Sequence, residues 1–249
     1  MLYVLLFVLG AAWGSFLNVV ACRIQKHKPF LGGRSACAHC NKHIPWFDLF
    51  PVVSWVVLGG KCRRCKNRLS VQYALSEAGV GALFVLGAFV AATPLQALLY
   101  LAVVSFFTVL FIYDANTYLV PDKIVVPAII IIGLLNIQVA GSALSLLLGG
   151  LFGGAWFLAQ FLVSRGRWVG GGDIRLGVLM GVLLGHPLIW LGLGIAYIGG
   201  SIIAIALVLS RRAQLTGKVP FATFLLPAAF VTWIWGAEIF AWYRNIVGL

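Results

Sequence analysis

The sequence predicts an all-α membrane protein, a polytopic bundle of about eight transmembrane helices. Of its 249 residues, 62% are hydrophobic and 10% are charged, and the mean hydropathy is +1.03. Soluble domains are usually about 45–50% apolar and about 25% charged, so this chain could not cover a water-exposed surface with polar groups. Eight membrane helices of about 20 residues would use roughly 160 residues, which fits the apolar content. The composition excludes a soluble globular protein.

Apolar stretches, separated by turn and charge signals, give eight predicted spans. They cover residues 2–21, 71–91, 95–113, 124–140, 143–163, 174–186, 188–209 and 221–241. The sixth is short for a full crossing, which fits a tilted or re-entrant helix, or one in a locally thinned bilayer. We therefore expect three parts: a first span (1–21), a loop with structure of its own (22–70) and a bundle of about seven spans (71–249).

The basic residues predict the orientation of these spans. The chain has 18 Lys and Arg against 6 Asp and Glu, a net charge of +12. With eight spans and the N-terminus outside, 17 of the 18 face one side and only Arg244 faces the other. Basic loops stay in the cytoplasm, so this side is predicted to be cytoplasmic. The excess charge therefore indicates topology and not nucleic-acid binding, and the basic loop could also contact anionic membrane lipid.

Two cysteine pairs lie in the 22–70 loop. Cys37, Cys40, Cys62 and Cys65 form a CxxC…CxxC pattern with 21 residues between the pairs, a spacing typical of zinc ribbons. Four thiolates close a tetrahedral shell, so we expect a structural zinc in a zinc-ribbon-like cytoplasmic loop. His39 or His43 replacing a thiolate, and four unliganded or redox-active thiols, remain alternatives.

Three of the six acids are not assigned to catalysis: two fit structural roles, and the role of the third stays open. Asp48 lies among prolines and fits a turn or cap, and Glu238 lies near the end of the last span, where it can reach water. Glu77 lies about two turns into the second span, where an ionisable group is costly and usually faces the bundle interior. Helix pairing and substrate binding are equally compatible with Glu77.

The other three acids, Asp114, Asp122 and Asp173, lie at the same predicted face. Asp114 ends the third span, Asp122 starts the fourth and could cap it, and Asp173 follows three glycines. Two carboxylates brought together in a partly dry site share a proton, so one can activate water while the other donates to a carbonyl. The glycine run 170–172, without Cβ atoms, would let a peptide backbone approach Asp173. Alone, the same run fits a helix cap.

In combination these segments resemble the type IV prepilin peptidases over most of the chain. Arg175 stands where Lys is more usual, and Ala222 where we expect glycine. The matching segments are Gly14–Val20, the two CxxC pairs with Ser54-Trp55 between them, Ser70–Gly79, Tyr113-Asp114 through Pro121-Asp122, Gly170–Leu176 and Val219–Ala222.

The resemblance implies a GxGD-type intramembrane aspartyl protease of the bacterial inner membrane. Carried over by motif position, Asp114 and Asp173 would be the catalytic pair, with Asp122, Gly170, Gly172 and Glu77 in supporting roles. The substrates would be prepilins or pseudopilins of type IV pilus and type II secretion systems, which lose a short basic leader. Many members also methylate the new N-terminus with S-adenosylmethionine. The sequence leaves the oligomeric state open.

Two other classes of function compete with a protease. A transporter or channel would bind a cation with intramembrane acids, and it predicts acids near the midplane on discontinuous helices. A non-catalytic scaffold would dock partners through the zinc loop, and it predicts that the cysteines matter while the aspartates do not. The key acids lie at one face of the predicted bundle, which counts against the transporter.

Overall fold

The computed structural model describes residues 1–29, 32, 35–37, 39–210 and 220–247. Over these residues the chain is helical and its only β-structure is two isolated bridges, so the all-α prediction is confirmed. A short 3-10 helix, Trp46–Leu49, precedes the second α-helix. The α-helices are α1 (Leu2–Gln25), α2 (Val53–Val57), α3 (Val71–Val90), α4 (Pro94–Thr117), α5 (Asp122–Ala140), α6 (Ala143–Ser164), α7 (Gly171–Leu184), α8 (Leu188–Leu209) and α9 (Ala222–Val247).

Each of the eight predicted spans coincides with one of these helices. Seven helices of the described chain, all except α2 and α7, are long and apolar enough to cross a membrane. The exception among the predicted spans is the sixth, because α7 has 14 residues and is only about 21 Å long. The hydrocarbon core is about 30 Å thick. The protein is therefore a multi-pass membrane protein with seven helices of crossing length and one short helix.

The chain forms two compact units, Met1–Tyr100 and Leu101–Leu249. In the first unit α1 and α3 run antiparallel in close contact. A Cβ atom at Gly10 would lie 2.7 Å from the Cβ of Phe84, so only glycine fits there. Further along the seam the buried Asn18 donates from Nδ2 to Ser76 Oγ at 2.7 Å. The Gly14–Val20 segment therefore serves this helix pair.

The second unit is organised around the contact of α6 with α7. A Cβ atom at Gly153 would overlap the carbonyl oxygen of Gly177, and one at Gly181 would overlap that of Gly149. Small residues at four-residue spacing let helix backbones approach this closely in membranes. Gly149 and Gly153 of α6 are thus packing residues.

Hydrogen bonds fix the C-terminal end of α7. The buried Asn136 of α5 donates from Nδ2 to the carbonyl oxygens of Val182 and Leu183, at 3.0 and 2.8 Å. Beyond the helix, Ser145 Oγ donates to the carbonyl oxygen of His186 at 2.8 Å. These bonds satisfy carbonyl groups that a helix end leaves without partners. They also hold the end of α7 level with the start of α6.

Candidate active site and metal centre

Asp114 is buried at one end of the second unit. Asp114 is only 4% exposed. Helix α4 continues past it to Thr117, one turn beyond the end of the predicted span. Oδ2 accepts a hydrogen bond from the backbone N–H of Thr223 at 3.3 Å, and the N–H of Ala222 also interacts with the carboxylate. These two residues begin α9, whose N-terminus carries a partial positive charge. The start of α9 therefore holds the Asp114 carboxylate.

The role of Thr223 was not foreseen from the sequence. In the sequence, the Val219–Ala222 segment is notable only because it resembles a motif of the prepilin peptidases. Its first residue, Val219, lies outside the described residues. One feature of the sequence could have identified this segment. Pro220, with Thr223 three positions later and an apolar run after it, is typical of a helix start, and helix starts bind carboxylates. In the structure Thr223 Oγ1 donates to the Pro220 carbonyl oxygen at 2.6 Å.

Asp173 is the third residue of α7 and is half-buried. Its Oδ2 accepts from the N–H of Gly170 at 2.8 Å, while its own N–H donates to the Gly170 carbonyl oxygen at 3.1 Å. The carboxylate thus fastens the first turn of the helix, as the cap interpretation expects. It also acts electrostatically on Asp114. The two predicted catalytic aspartates converge at the same end of the second unit, and their catalytic role stays a prediction.

The three glycines before Asp173 have different surroundings. A Cβ atom at Gly172 would lie 2.8 Å from the Cβ of Val120, so this position needs glycine for packing. Nothing lies within 4 Å of such an atom at Gly171, and at Gly170 it would meet only Asp173 Oδ2 at 3.7 Å. Open space suited to an approaching backbone therefore lies beside Gly170 and Gly171. Gly172 instead fits α7 against the segment after α4.

Asp122 pairs with Arg175 across the same end of the unit. Arg175 Nη1 lies 2.7 Å from Asp122 Oδ1, and both side chains are about half exposed. The N-cap of α5 is Pro121, and Asp122 is the first residue inside the helix. The suggested capping role is therefore wrong. Exposed pairs of this kind contribute about 0–1 kcal/mol, so the pair aligns α5 with α7 more than it stabilises them.

Helix α6 extends beyond the start of α7, where Asp173 lies. Gly149 faces Gly181 and Gly153 faces Gly177, which sets an antiparallel register between α6 and α7. Continued by one turn, this register places Asp173 level with Phe157. Helix α6 runs seven residues beyond Phe157, to Ser164, which is about 10 Å. Asp173 therefore lies about 10 Å short of the end of its neighbouring helix.

Glu77 holds the loop that follows α1. Its Oε2 accepts from the backbone N–H of Val52 at 2.7 Å. Val52 has φ 61° and ψ −52°, and the N–H of Val53 donates to the Pro51 carbonyl oxygen at 2.6 Å, which makes a γ-turn. A β-branched residue with positive φ is strained, by about 1–3 kcal/mol. Helix pairing and substrate binding both stay predictions for Glu77, whose carboxylate anchors a strained loop.

The four predicted cysteines gather at one point of the first unit. Their Sγ atoms all lie within 4.8 Å of one another, and the cluster contains neither His39 nor His43. Sγ of Cys37 and Sγ of Cys65 are 3.8 Å apart. A tetrahedral zinc with Zn–S bonds of about 2.3 Å requires S···S distances of about 3.8 Å. This donor set therefore fits a zinc ion. Cys22, half-buried, lies outside the cluster.

The two cysteine pairs adopt the same backbone turn. The N–H of Cys37 donates to the Lys42 carbonyl oxygen, and the N–H of Cys62 donates to that of Asn67, at 3.0 and 2.9 Å. The residue after each second cysteine has positive φ, 54° at Asn41 and 59° at Lys66. Backbone N–H groups of Cys65 and Arg64 donate to the Cys62 sulfur and lower the pKa of its thiol to about 6. The pKa of the Cys65 thiol rises to about 11 despite the hydrogen bond from the Asn67 backbone, because burial and the neighbouring sulfurs favour its neutral form. Thiolate is the form that binds metal.

A multi-pass helix bundle with two aspartates at one end has the arrangement of an intramembrane aspartyl protease, and acids placed this way do not favour a transporter. Comparison with known families agrees. The family model described as Bacterial Peptidase A24 N-terminal domain matches residues 8–91, and that described as Type IV leader peptidase family matches residues 101–209. The chain belongs to the type IV leader peptidase family.

Similar proteins cover nearly the whole chain. A prepilin leader peptidase/N-methyltransferase of Bacillus subtilis is 27% identical over 242 residues, which cover 96% of each chain. One of Pseudomonas putida is 28% identical and covers 97% of this chain and 93% of its own. One of Aeromonas hydrophila is 26% identical, with 96% and 92% covered. No solved structure matches the chain.

Proposed function

We propose that this protein is an intramembrane aspartyl endopeptidase that removes the leader from prepilins or pseudopilins. The observation that carries the proposal is the convergence of Asp114 and Asp173 at one end of the bundle, in a family of leader peptidases. Family membership supports the reaction, and the geometry supports the choice of these two aspartates. Relatives named N-methyltransferase support a second activity, methylation of the new N-terminus.

The cleavage follows from two carboxyl groups in different protonation states. One aspartate, ionised, takes a proton from a water molecule, whose oxygen forms a bond to the scissile carbonyl carbon. The other, protonated, donates its proton to the carbonyl oxygen. As the C–N bond breaks, the first aspartate gives the proton it took from water to the amine nitrogen, and the second takes a proton back from a hydroxyl of the tetrahedral intermediate. The leader leaves with a new carboxyl group, and both aspartates return to their starting states. Two close carboxylates resist double ionisation, which keeps the pair in this state.

The neighbours of the pair suit this chemistry. Amide groups of α9 and Gly170 hold the two carboxylates in place without bringing a competing positive side chain. Open space beside Gly170 and Gly171 would admit an extended substrate backbone. Asp122 and Arg175 would support the site by holding the starts of α5 and α7 together. Glu77 would act in the other unit, through the loop it anchors.

The orientation follows from the distribution of charge. We place the N-terminus outside and the aspartate pair toward the cytoplasm, in the inner membrane of a bacterium, because basic loops remain cytoplasmic. Prepilins would present their leader junction at this face. The basic loop of residues 22–70 would lie near anionic lipid.

The two cofactors would have separate roles. Cys37, Cys40, Cys62 and Cys65 would hold zinc in a closed shell, which orders the loop and takes no part in hydrolysis. S-adenosylmethionine would supply the methyl group for the new amine. The described residues contain no β-strand, so the donor would bind among helices or loops and not in a Rossmann-type fold.

The test is cleavage of a purified prepilin by the reconstituted enzyme. We expect Asp114→Asn and Asp173→Asn each to reduce leader removal by at least about 1,000-fold, since each removes a group that must exchange a proton. Glu238→Gln is the matched control, because this exposed acid undergoes the same change in charge and should keep full activity. Full cleavage by either aspartate variant would overturn the proposal. With S-adenosylmethionine added to the same reaction, the mass of the cleaved product shows whether its new N-terminus is methylated.

A further inference from the structure

The segment Trp46–Val57, here called the aromatic segment, turns its apolar side chains outward. Trp46 is 74% exposed, Phe50 56% and Val57 74%. Phe47, Leu49, Val53 and Val56 are exposed as well. The rings of Phe47 and Phe50 both contact that of Trp46. An exposed apolar patch of this kind on a small loop marks a surface that contacts a membrane or a partner.

Both ends of the loop emerge at the same end of the helix pair. Gly10 of α1 lies against Phe84 of α3, and Asn18 bonds to Ser76, so the helices are antiparallel. The C-terminus of α1 and the N-terminus of α3 are therefore neighbours. Helix α3 has 20 residues, about 30 Å, which is the thickness of the hydrocarbon core. Its N-terminus therefore marks the edge of that core.

The bond from Val52 to Glu77 sets the depth of the aromatic segment. Glu77 is the seventh residue of α3, about 9 Å along the helix from its start. Its side chain leans toward the N-terminus, as helical side chains do, and reaches the Val52 N–H at 2.7 Å. The middle of the aromatic segment thus lies beside the first two turns of α3 and not above them. This is the depth of the interfacial layer, where amphipathic segments bury about 5–10 Å.

The charges of this unit match an anionic surface. Its two acids are engaged: Arg63 binds Asp48 through two nitrogens, at 2.7 and 2.8 Å, and Glu77 binds Val52. The Arg63 guanidinium also covers the Phe47 ring, at 5.4 Å from its centroid. Exposed basic side chains lie in the two cysteine turns that flank the segment in sequence, and they are Lys42, Lys61, Arg64, Lys66 and Arg68.

We propose that the aromatic segment is a membrane-interface anchor. Trp46, Phe50 and Val57 insert into the interfacial layer beside α1 and α3, while the flanking Lys and Arg bind anionic lipid headgroups. The Trp ring is suited to this layer because it combines an apolar body with a polar N–H edge, and Phe is common on the apolar face of interfacial segments. Glu77 holds the anchor at its depth. The proposal rests on α1 and α3 crossing the membrane and not on the peptidase activity, so the two can fail separately.

The test measures the depth of Trp46 in lipid nanodiscs. The full-length protein is reconstituted with phospholipids brominated near the headgroup or near the chain end, and its fluorescence quenching is compared with that of Trp46→Phe. The fluorescence difference between the native protein and Trp46→Phe reports Trp46 alone. We expect bromines near the headgroup to quench it at least twofold more than bromines near the chain end. Trp55→Phe is the matched control, because the Trp55 ring packs on Gly60 inside the loop, and its difference signal should be weakly quenched.

Three outcomes would overturn the proposal. Equal, negligible quenching by both lipids would place Trp46 in water, and stronger quenching by the deep bromines would place it in the core. Quenching that a bound prepilin abolishes would make the segment a protein-docking surface instead. If Trp46→Phe fails to fold, a photo-crosslinking residue at Val57 replaces it, and it should attach to lipid and not to substrate.

A second set of measurements separates the binding of basic side chains to lipid headgroups from the insertion of apolar side chains. Replacing Lys61, Arg64, Lys66 and Arg68 together by Gln should leave shallow quenching in phosphatidylcholine unchanged. It should remove the gain that added phosphatidylglycerol gives the native protein. An equal gain in both proteins would contradict the lipid role of these residues.

Discussion

At the scale of single residues, the candidate site depends on a contact between distant parts of the chain. Asp114 is held by the amide of Thr223, which lies 109 positions later. A hydrogen bond to a charged group contributes about 1.5–3 kcal/mol when its partner is buried. The amide, and not the threonine side chain, makes this contact. The function of Thr223 can therefore be tested through its backbone.

We predict that Thr223→Pro lowers kcat for leader removal about 10- to 100-fold, since it removes the N–H donor and each 1.4 kcal/mol is tenfold. Proline is tolerated in the first turn of a helix, so α9 should still form. Thr223→Ala keeps the N–H and loses only the bond to Pro220, and it should retain nearly full activity. Equal losses in the two variants would show that the side chain matters and the amide does not.

The residue types of the site could be predicted from the sequence, but their partners could not. Scarcity made Asp114 and Asp173 conspicuous, because the chain has only six acids. The Val120 contact of Gly172 and the amide of Thr223 follow from the packing of helices far apart in sequence. No local pattern specifies such contacts. Asp122 was misjudged for the same reason, because its partner Arg175 belongs to another helix.

At the scale of helices, the glycine contact between α6 and α7 sets the position of Asp173. Gly153 and Gly177 face each other with no room for a Cβ atom on either side. Any added atom must push the two backbones apart. Because α7 is short and carries Asp173 in its first turn, such a displacement changes the position of the carboxylate relative to Asp114.

We predict that Gly177→Ala destabilises the bundle by about 1–3 kcal/mol, as overpacking does, and lowers cleavage at least tenfold. Gly194→Ala is the control, because nothing lies within 4 Å of a Cβ atom there and alanine favours the helix. Thermal unfolding in detergent and kcat/KM for a prepilin measure the two effects. A Gly177→Ala enzyme as stable and active as Gly194→Ala would refute this account of the contact.

Helices were easier to predict than their exact ends or their depth. Long apolar runs specify a membrane helix with little help from tertiary packing. All eight runs are helices here, although α1 and α4 extend four residues beyond the predicted spans, into more polar sequence. The length of α7 is determined by a glycine turn at each end and by its contacts with α5 and α6, which hydropathy does not describe.

At the scale of the whole molecule, two units correspond to two parts of the family. The first unit ends at Tyr100, the first family model ends at residue 91, and the second begins at residue 101. The first unit holds the cysteine cluster and Glu77, and the second holds both candidate catalytic aspartates. Metal binding and hydrolysis should therefore be separable by mutation.

We predict one zinc ion per chain in the purified protein, measured by elemental mass spectrometry. Cys37→Ser should lower this content at least fivefold, since three thiolates bind zinc far more weakly than a complete set. Cys22→Ser, outside the cluster, should leave it unchanged. Limited proteolysis should then cut the Cys37→Ser protein within residues 35–70 and leave the second unit intact. A metal-free native protein with a protease-resistant loop would contradict this prediction.

If Asp173 is one of the catalytic pair, its position about 10 Å back from the end of α6 has a consequence for substrates. A peptide bond would then be cut only if it lies past the end of α6 by that distance, beside Asp173. The distance between a substrate's last basic residue and its first membrane-embedded turn then selects the bond. Proteins that share this spacing would be processed alike, however different their sequences.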